Sequence, residues 1–79
     1  MSMSKLPAVK PRDVVKFLEQ NDFVLDHVSG SHFIYYHAAS KRRAVVPRHN
    51  RELPKGTLLS LLREAGFTRN DLLDFLEGR

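Results

Sequence analysis

The sequence contains no cysteine, and none of its apolar runs is long. The lack of cysteine excludes a disulfide framework, a thiolate zinc site and a cysteine nucleophile, and it makes the cytoplasm the natural compartment. No stretch approaches the roughly 18 apolar residues of a membrane span. The N-terminal segment MSMSKLPAVKPR also lacks the apolar region of a signal peptide. We therefore expect a cytoplasmic protein that does not contact a membrane.

The chain has 79 residues, which leaves room for a single domain with one modest core. A domain of this size buries roughly 60% of the surface that its unfolded chain exposes, and such a core supplies on the order of 3–5 kcal/mol. No internal repeat, linker or low-complexity tract divides the chain. We predict one domain over residues 1–79, with residues 1–9 as a flexible tail, and no cofactor.

Positive charge exceeds negative charge, because 13 Lys and Arg against 9 Asp and Glu give a formal net charge of +4. Much of the excess lies in residues 41–55, where the only acidic side chain is Glu52. A local excess of this kind favours a polyanionic partner such as nucleic acid, although many small basic proteins bind none. The candidate phosphate-binding residues are Lys41, Arg42, Arg43, Arg48, Arg51 and Lys55.

Local patterns predict the element order αβββαα. Apolar residues at helical spacing predict a helix over residues 11–20, and runs rich in β-formers predict strands over residues 23–29, 32–38 and 42–47. A leucine-rich helix follows Pro54 and ends at Gly66, and Thr68 caps a final helix, with Asp71 in a variant of the capping box. Three sequential strands with short turns form an antiparallel meander. We expect an α+β fold with helices packed on one face of a three-stranded sheet.

A histidine at the start of the second predicted strand is the strongest candidate for chemistry. His32 follows the Gly30-Ser31 turn, whose backbone amides and hydroxyl are suited to hold a phosphate. Side chains alternate along a strand, which places His32, Ile34 and Tyr36 on one face. If Ile34 faces the core, His32 lies on the core face at the margin of the sheet. Such a histidine is oriented and still accessible, as general acid–base catalysis requires. The alternative is a histidine that only makes structural hydrogen bonds.

The remaining histidines are weaker candidates. His49 lies between Arg48 and Arg51 after the third strand, where antiparallel pairing brings it toward His32. Its simpler role is to contact a phosphate or to fix the loop. His32 and His37 are five residues apart on one strand and therefore face opposite sides of the sheet, which argues against a shared metal ion. We expect no metal site.

Tyr35 and Tyr36 offer aromatic surfaces close to the basic residues. In proteins that bind single strands, stacking of a base on an aromatic ring is worth about 1–3 kcal/mol. The ordinary alternative is packing across the strands, which we expect for one of the two tyrosines. We assign Tyr36, which shares the face of His32, to RNA binding.

Four short motifs follow one another along the chain. They are Gly-Ser-His at residues 30–32, Val-Pro-x-His at 46–49, Leu-Pro-Lys-Gly-Thr at 53–57 and Arg-x-Ala-Gly at 63–66. Because these motifs occur in this order and spacing, the chain from Lys10 to Leu76 resembles the HicA toxin family. This family is the RNA-cleaving half of the HicA–HicB type II toxin–antitoxin pairs. The resemblance implies a fold like the double-stranded RNA-binding domain and a metal-independent endoribonuclease that cleaves mRNA. It also implies that His32 is the catalytic histidine and that a HicB-type antitoxin covers it.

Three other functions fit parts of the sequence. A non-catalytic RNA-binding module would use the same fold, charge and aromatic residues, with no catalytic role for His32. A helix-turn-helix protein is suggested by LLREAGFTRNDLLDFL, but the second helix carries Asp71, Asp74 and Glu77, which DNA phosphates repel. A protein-interaction domain would show no salt-dependent binding to RNA.

Overall fold

The helices and strands follow one another in the predicted order. The computed structural model describes residues 6–78. Its elements are α1 (Pro11–Gln20), β1 (Val24–Ser29), β2 (His32–His37), β3 (Arg42–Pro47), α2 (Lys55–Ala65) and α3 (Arg69–Gly78). This order confirms the predicted α+β fold, which is like that of the double-stranded RNA-binding domain and carries one additional helix. Within residues 6–78, no helix is long and apolar enough to cross a membrane.

Helix α1 begins and ends at residues with strong start and stop preferences. Pro11 occupies the first turn, where a backbone N–H would have no partner in the helix. The Asp13 carboxylate accepts a hydrogen bond from the Lys10 backbone N–H at 3.0 Å. The Asn21 side chain closes the last turn by donating to the Phe17 carbonyl at 2.8 Å. One stripe of the helix is buried and consists of Pro11, Val14, Phe17 and Leu18.

The three strands form an antiparallel meander in the order β1-β2-β3. Phe33 and Tyr35 of β2 pair with Val46 and Ala44 of β3, and this face of the sheet carries the core. The alternate residues lie on the opposite face, here called the open face: His32, Ile34 and Tyr36 of β2, with Arg43, Val45 and Pro47 of β3. Helices α1 and α2 pack on β3, whereas every residue of β1 is exposed.

A left-handed glycine and a capping box define the connection between α2 and α3. Helix α2 ends at Gly66, whose φ of 91° lies in the left-handed region that favours glycine. Thr68 and Asp71 then cap α3 reciprocally. The Asp71 carboxylate accepts from the Thr68 N–H at 2.8 Å, and the Thr68 hydroxyl accepts from the Asp71 N–H at 3.1 Å. These two bonds confirm the predicted capping box, which satisfies two donors that the first helical turn leaves free.

Residues 6–9 depart from the flexible tail that we expected over residues 1–9, of which residues 1–5 lie outside the described part of the chain. Leu6 and Val9 are buried in the core. The Leu53 N–H donates to the Val9 carbonyl at 2.8 Å, and the Lys55 ammonium donates to the Leu6 carbonyl at 3.4 Å. The segment is ordered because its two apolar side chains lose their contact with water and its backbone is hydrogen-bonded.

Ionisation of Tyr35 should destabilise the protein at high pH. The burial of Tyr35, with a smaller contribution from the charge of Glu19, raises the pKa of its hydroxyl above the ordinary value of 10.0. The folded state therefore keeps this proton at pH values where the unfolded chain has lost it. As a result, the free energy of unfolding falls as the pH rises above about 10.

Urea unfolding at about pH 8 and about pH 11 measures this loss. The Tyr35→Phe variant should lose less stability between the two pH values than the wild type, because phenylalanine has no proton to release. Tyr36→Phe is the matched control, since Tyr36 is half-buried on the open face. An equal loss in the wild type and in Tyr35→Phe would contradict the prediction.

Candidate functional site

His32 is the first residue of β2 and lies on the open face at one end of the sheet. Its cross-strand neighbours are Ser29 on β1 and Pro47 on β3, and its side chain is exposed. Ile34, on the same face, is half-buried and turned away from the core. The expectation that His32 lies at the margin of the core face is therefore wrong. The helices pack instead on the alternate set, which includes Phe33, because that set presents the larger aromatic surface.

Arg48 fixes the turn that leads into His32. Gly30 adopts a φ of 57°, which a two-residue hairpin turn requires. The Arg48 backbone N–H donates to the Ser31 carbonyl at 2.7 Å, and its guanidinium donates to the Gly30 carbonyl at 3.3 Å. The guanidinium carbon also lies 5.4 Å from the centre of the Phe33 ring. These contacts place a permanent positive charge, with further N–H donors, next to the backbone of the histidine.

A groove runs between β3 and α2, and His32 lies along it. The groove has a volume of about 300 Å³. Val45 and Pro47 form its β3 side, and Leu61 contributes an apolar surface from α2. Three polar residues of α2, which the sequence interpretation did not single out, complete the lining: Thr57, Ser60 and Glu64. Their spacing of three and four residues along one helix face is the signal that could have identified them.

His49 is half-buried in the loop after β3, at the same end of the sheet as His32. Its Nδ1 accepts a hydrogen bond from the Arg51 backbone N–H at 3.1 Å. This bond leaves the proton of the neutral ring on Nε2. The contact matches the simpler of the two roles considered for His49, that of a residue which fixes the loop.

The six basic residues do not form one cluster. Arg48 lies at the His32 end of β3, whereas Lys41 and Arg42 lie at the other end, roughly 17 Å away along the six-residue strand. The Arg42 guanidinium donates to the Glu64 carbonyl at 3.2 Å. Lys55 donates to the Leu6 carbonyl. Arg42 and Lys55 therefore make structural contacts within the fold, while Lys41 and Arg51 are exposed in the turn and loop that flank β3.

Tyr36 and Arg43 continue the open face beyond His32. They are cross-strand neighbours, and both line a small cavity of about 180 Å³. Tyr36 lies four residues from His32 on the same strand face, a separation of roughly 13 Å.

The other two histidines make local contacts. His27 Nδ1 makes a 2.7 Å hydrogen bond with the carboxylate of the neighbouring Asp26 on β1. His37 Nδ1 accepts from the Ser40 backbone N–H at 3.1 Å, in the turn between β2 and β3. In residues 6–78 no three His, Cys, Asp or Glu side chains come together in a way that would hold a metal ion.

The sequence also matches a family model. Residues 11–67 match the family described as "HicA toxin of bacterial toxin-antitoxin". The matched segment is 57 of the 79 residues, and it contains His32, Arg48 and the whole of α2. The chain has no match among curated proteins. The extent of the family match confirms the resemblance found in the four sequence motifs, and the chain belongs to the HicA toxin family of bacterial toxin–antitoxin systems.

Proposed function

We propose that this toxin is an endoribonuclease that cleaves single-stranded mRNA at His32 without a metal ion. The observation that carries the proposal is the position of His32. Its imidazole is exposed on the open face, next to a turn held by Arg48 and beside a groove of about 300 Å³. An accessible histidine whose adjoining turn carries a guanidinium has the groups that cleavage of an RNA phosphodiester needs.

The reaction is an attack of a ribose 2′-hydroxyl on the adjacent phosphorus. His32 accepts the proton of the 2′-hydroxyl as the new oxygen–phosphorus bond forms. The bond to the 5′-oxygen of the next nucleotide then breaks, and the imidazolium returns its proton to that oxygen. The products are a 2′,3′-cyclic phosphate and a free 5′-hydroxyl. Proton transfer of this kind is typically worth about 10²–10⁴-fold in rate.

Arg48 is the residue best placed to offset the negative charge that grows on the phosphate. One of its five N–H donors holds the Gly30 carbonyl, so the guanidinium is already oriented before RNA binds. The backbone amides of Gly30 and Ser31 add dipoles at the same turn. Arg43, Arg51, Lys41 and Tyr36 would contact the RNA farther along the open face and its flanking loops.

Membership of a toxin–antitoxin family implies a cognate antitoxin. We expect a HicB-type protein that covers His32 and thereby blocks access of RNA. The open face suits this role, because both His32 and Val45 are exposed there. The antitoxin would then inhibit the toxin by sterically excluding RNA from this face.

The proposal is tested by incubating the purified toxin with single-stranded RNA in excess EDTA. We expect cleavage that persists in EDTA, products that end in a 2′,3′-cyclic phosphate, and loss of cleavage when the cognate antitoxin is added. Cleavage that requires a divalent ion would refute the metal-free mechanism. RNA binding without any cleavage would identify the protein as a non-catalytic RNA-binding module.

A further inference from the structure

We infer that the groove between β3 and α2 holds one nucleobase of the RNA and selects bases that carry an amino group. The inference rests on the proposed function, because it assigns this groove to the same RNA that His32 would cleave. The groove passes alongside His32, so the nucleotide whose phosphate lies at His32 can place its base there. Its volume of about 300 Å³ is at the small end of ligand pockets, which suits a single base.

The walls of the groove have the two surfaces that a base requires. Val45, Pro47 and Leu61 are apolar and can contact the flat faces of the ring. Thr57, Ser60 and Glu64 form a polar edge, because positions i, i+3 and i+7 of a helix lie on one side. All three polar side chains are exposed before RNA binds, and their hydrogen-bonding groups are therefore available to a ligand.

The carboxylate of Glu64 gives this polar edge its selectivity. An ionised carboxylate only accepts hydrogen bonds, whereas the hydroxyls of Thr57 and Ser60 both donate and accept. Adenine, cytosine and guanine each offer an amino group that donates to a carboxylate. Uracil has no amino group, and its one donor on the pairing edge, N3–H, lies between two carbonyl oxygens that the negative charge would repel. The groove should therefore favour the three amino-bearing bases over uracil.

A nucleobase explains the lining better than a peptide does. The groove contains no Lys or Arg side chain, and away from His32 its polar lining consists of two hydroxyls and a carboxylate, which suit the edge of a base better than an acidic peptide. The positive groups lie outside it, at Arg48 and along the open face, where the sugar–phosphate backbone would run. This separation of charged and apolar surfaces matches the separation of phosphate and base in a nucleotide.

The test measures binding of 2′-O-methyl RNA pentamers, which cannot be cleaved because they lack the attacking hydroxyl. The pentamers have the sequence UUNUU, with each of the four bases at the central position, and their affinities are compared by fluorescence anisotropy. The wild type should bind the pentamers with central A, C or G about tenfold more tightly than UUUUU, as expected for one well-placed base contact.

Glu64→Gln should reduce this preference to about twofold, because an amide both donates and accepts and therefore tolerates uracil. The double variant Thr57→Val, Ser60→Ala should weaken binding of all four pentamers. Glu77→Gln removes the same charge from α3 and should leave the preference unchanged. Thermal unfolding followed by circular dichroism verifies that each variant is folded.

Equal affinity of the wild type for all four pentamers would overturn the inference, as would a preference that Glu64→Gln leaves intact. A parallel assay with cleavable RNA separates this result from the proposed function. If the wild type cleaves RNA but shows no base preference through Glu64, the groove assignment fails and the nuclease proposal stands. If it selects bases through Glu64 but never cleaves, the nuclease proposal fails and the groove assignment stands.

Discussion

Replacement of His32 by alanine should lower the rate of RNA cleavage by about 10²–10⁴-fold, the usual contribution of a general acid–base group. The affinity for uncleavable RNA should stay close to that of the wild type, since Arg48 and the open face still provide contacts with the backbone. The fold should also persist, because the His32 side chain is exposed and exposed substitutions usually change stability by about 0.5 kcal/mol or less. Single-turnover cleavage assays and anisotropy with 2′-O-methyl RNA measure the two effects separately.

His27→Ala is the matched control for this experiment. His27 is exposed on the neighbouring strand, pairs across the sheet with Ile34, and makes a hydrogen bond with the Asp26 carboxylate. Its loss should leave the cleavage rate close to that of the wild type. A folded His32→Ala variant that cleaves RNA at the wild-type rate would remove His32 from the mechanism.

Local signals in the sequence predicted the helices and turns accurately. Pro11 at a helix start, Gly66 at a helix end and the Thr68–Asp71 capping box each act within a few residues, so their effect does not depend on the rest of the fold. The three strand positions were also predicted to within a residue at each end. These features depend on the backbone preferences of individual residue types, which can be read from the sequence without knowledge of the tertiary structure.

The face of the sheet on which the core lies was harder to predict. Strand β2 has apolar or aromatic residues on both faces, so alternation separates Ile34 from Phe33 without saying which set is buried. The answer depends on where the helices dock, and that is a long-range property. The same reason explains Leu6 and Val9, which lie among polar and proline residues in the sequence. They are buried in the folded chain, where the Leu53 N–H, far away in sequence, donates to the Val9 carbonyl.

The candidate site shows the same division between local and long-range information. The Gly30-Ser31-His32 turn was visible in the sequence because its residues are adjacent. The six basic residues are close in sequence, but β3 places some of them at one end of the sheet and some at the other. Arg42 also donates to the Glu64 carbonyl near the end of α2. Conversely, the groove combines residues from β2, β3 and α2. These elements contribute residues at least ten positions apart, and the packing of α2 against β3 brings them together.

Phe17→Ala should destabilise the protein by about 3–5 kcal/mol, a loss comparable with the roughly 3–5 kcal/mol that the core of so small a domain supplies. The Phe17 side chain is 2% exposed, and its ring makes edge-to-face contacts with Phe67 at 4.8 Å and with Phe75 at 5.4 Å between centroids. Its removal leaves a cavity and also breaks both ring pairs, each worth about 0.5–1.5 kcal/mol beyond burial.

The Phe17 contacts tie α1 to α3, and Phe75 lies beyond the segment that matches the family model. Urea unfolding at neutral pH measures the loss, and Leu59→Ala is the control because Leu59 is 39% exposed on α2. We expect the control to lose about 1 kcal/mol or less, in keeping with its partial exposure. A loss below about 1 kcal/mol for Phe17→Ala would show that α3 does not contribute to the core through this ring. A loss of the expected size would instead show that the Phe17 ring is needed to stabilise the core of the fold that presents His32.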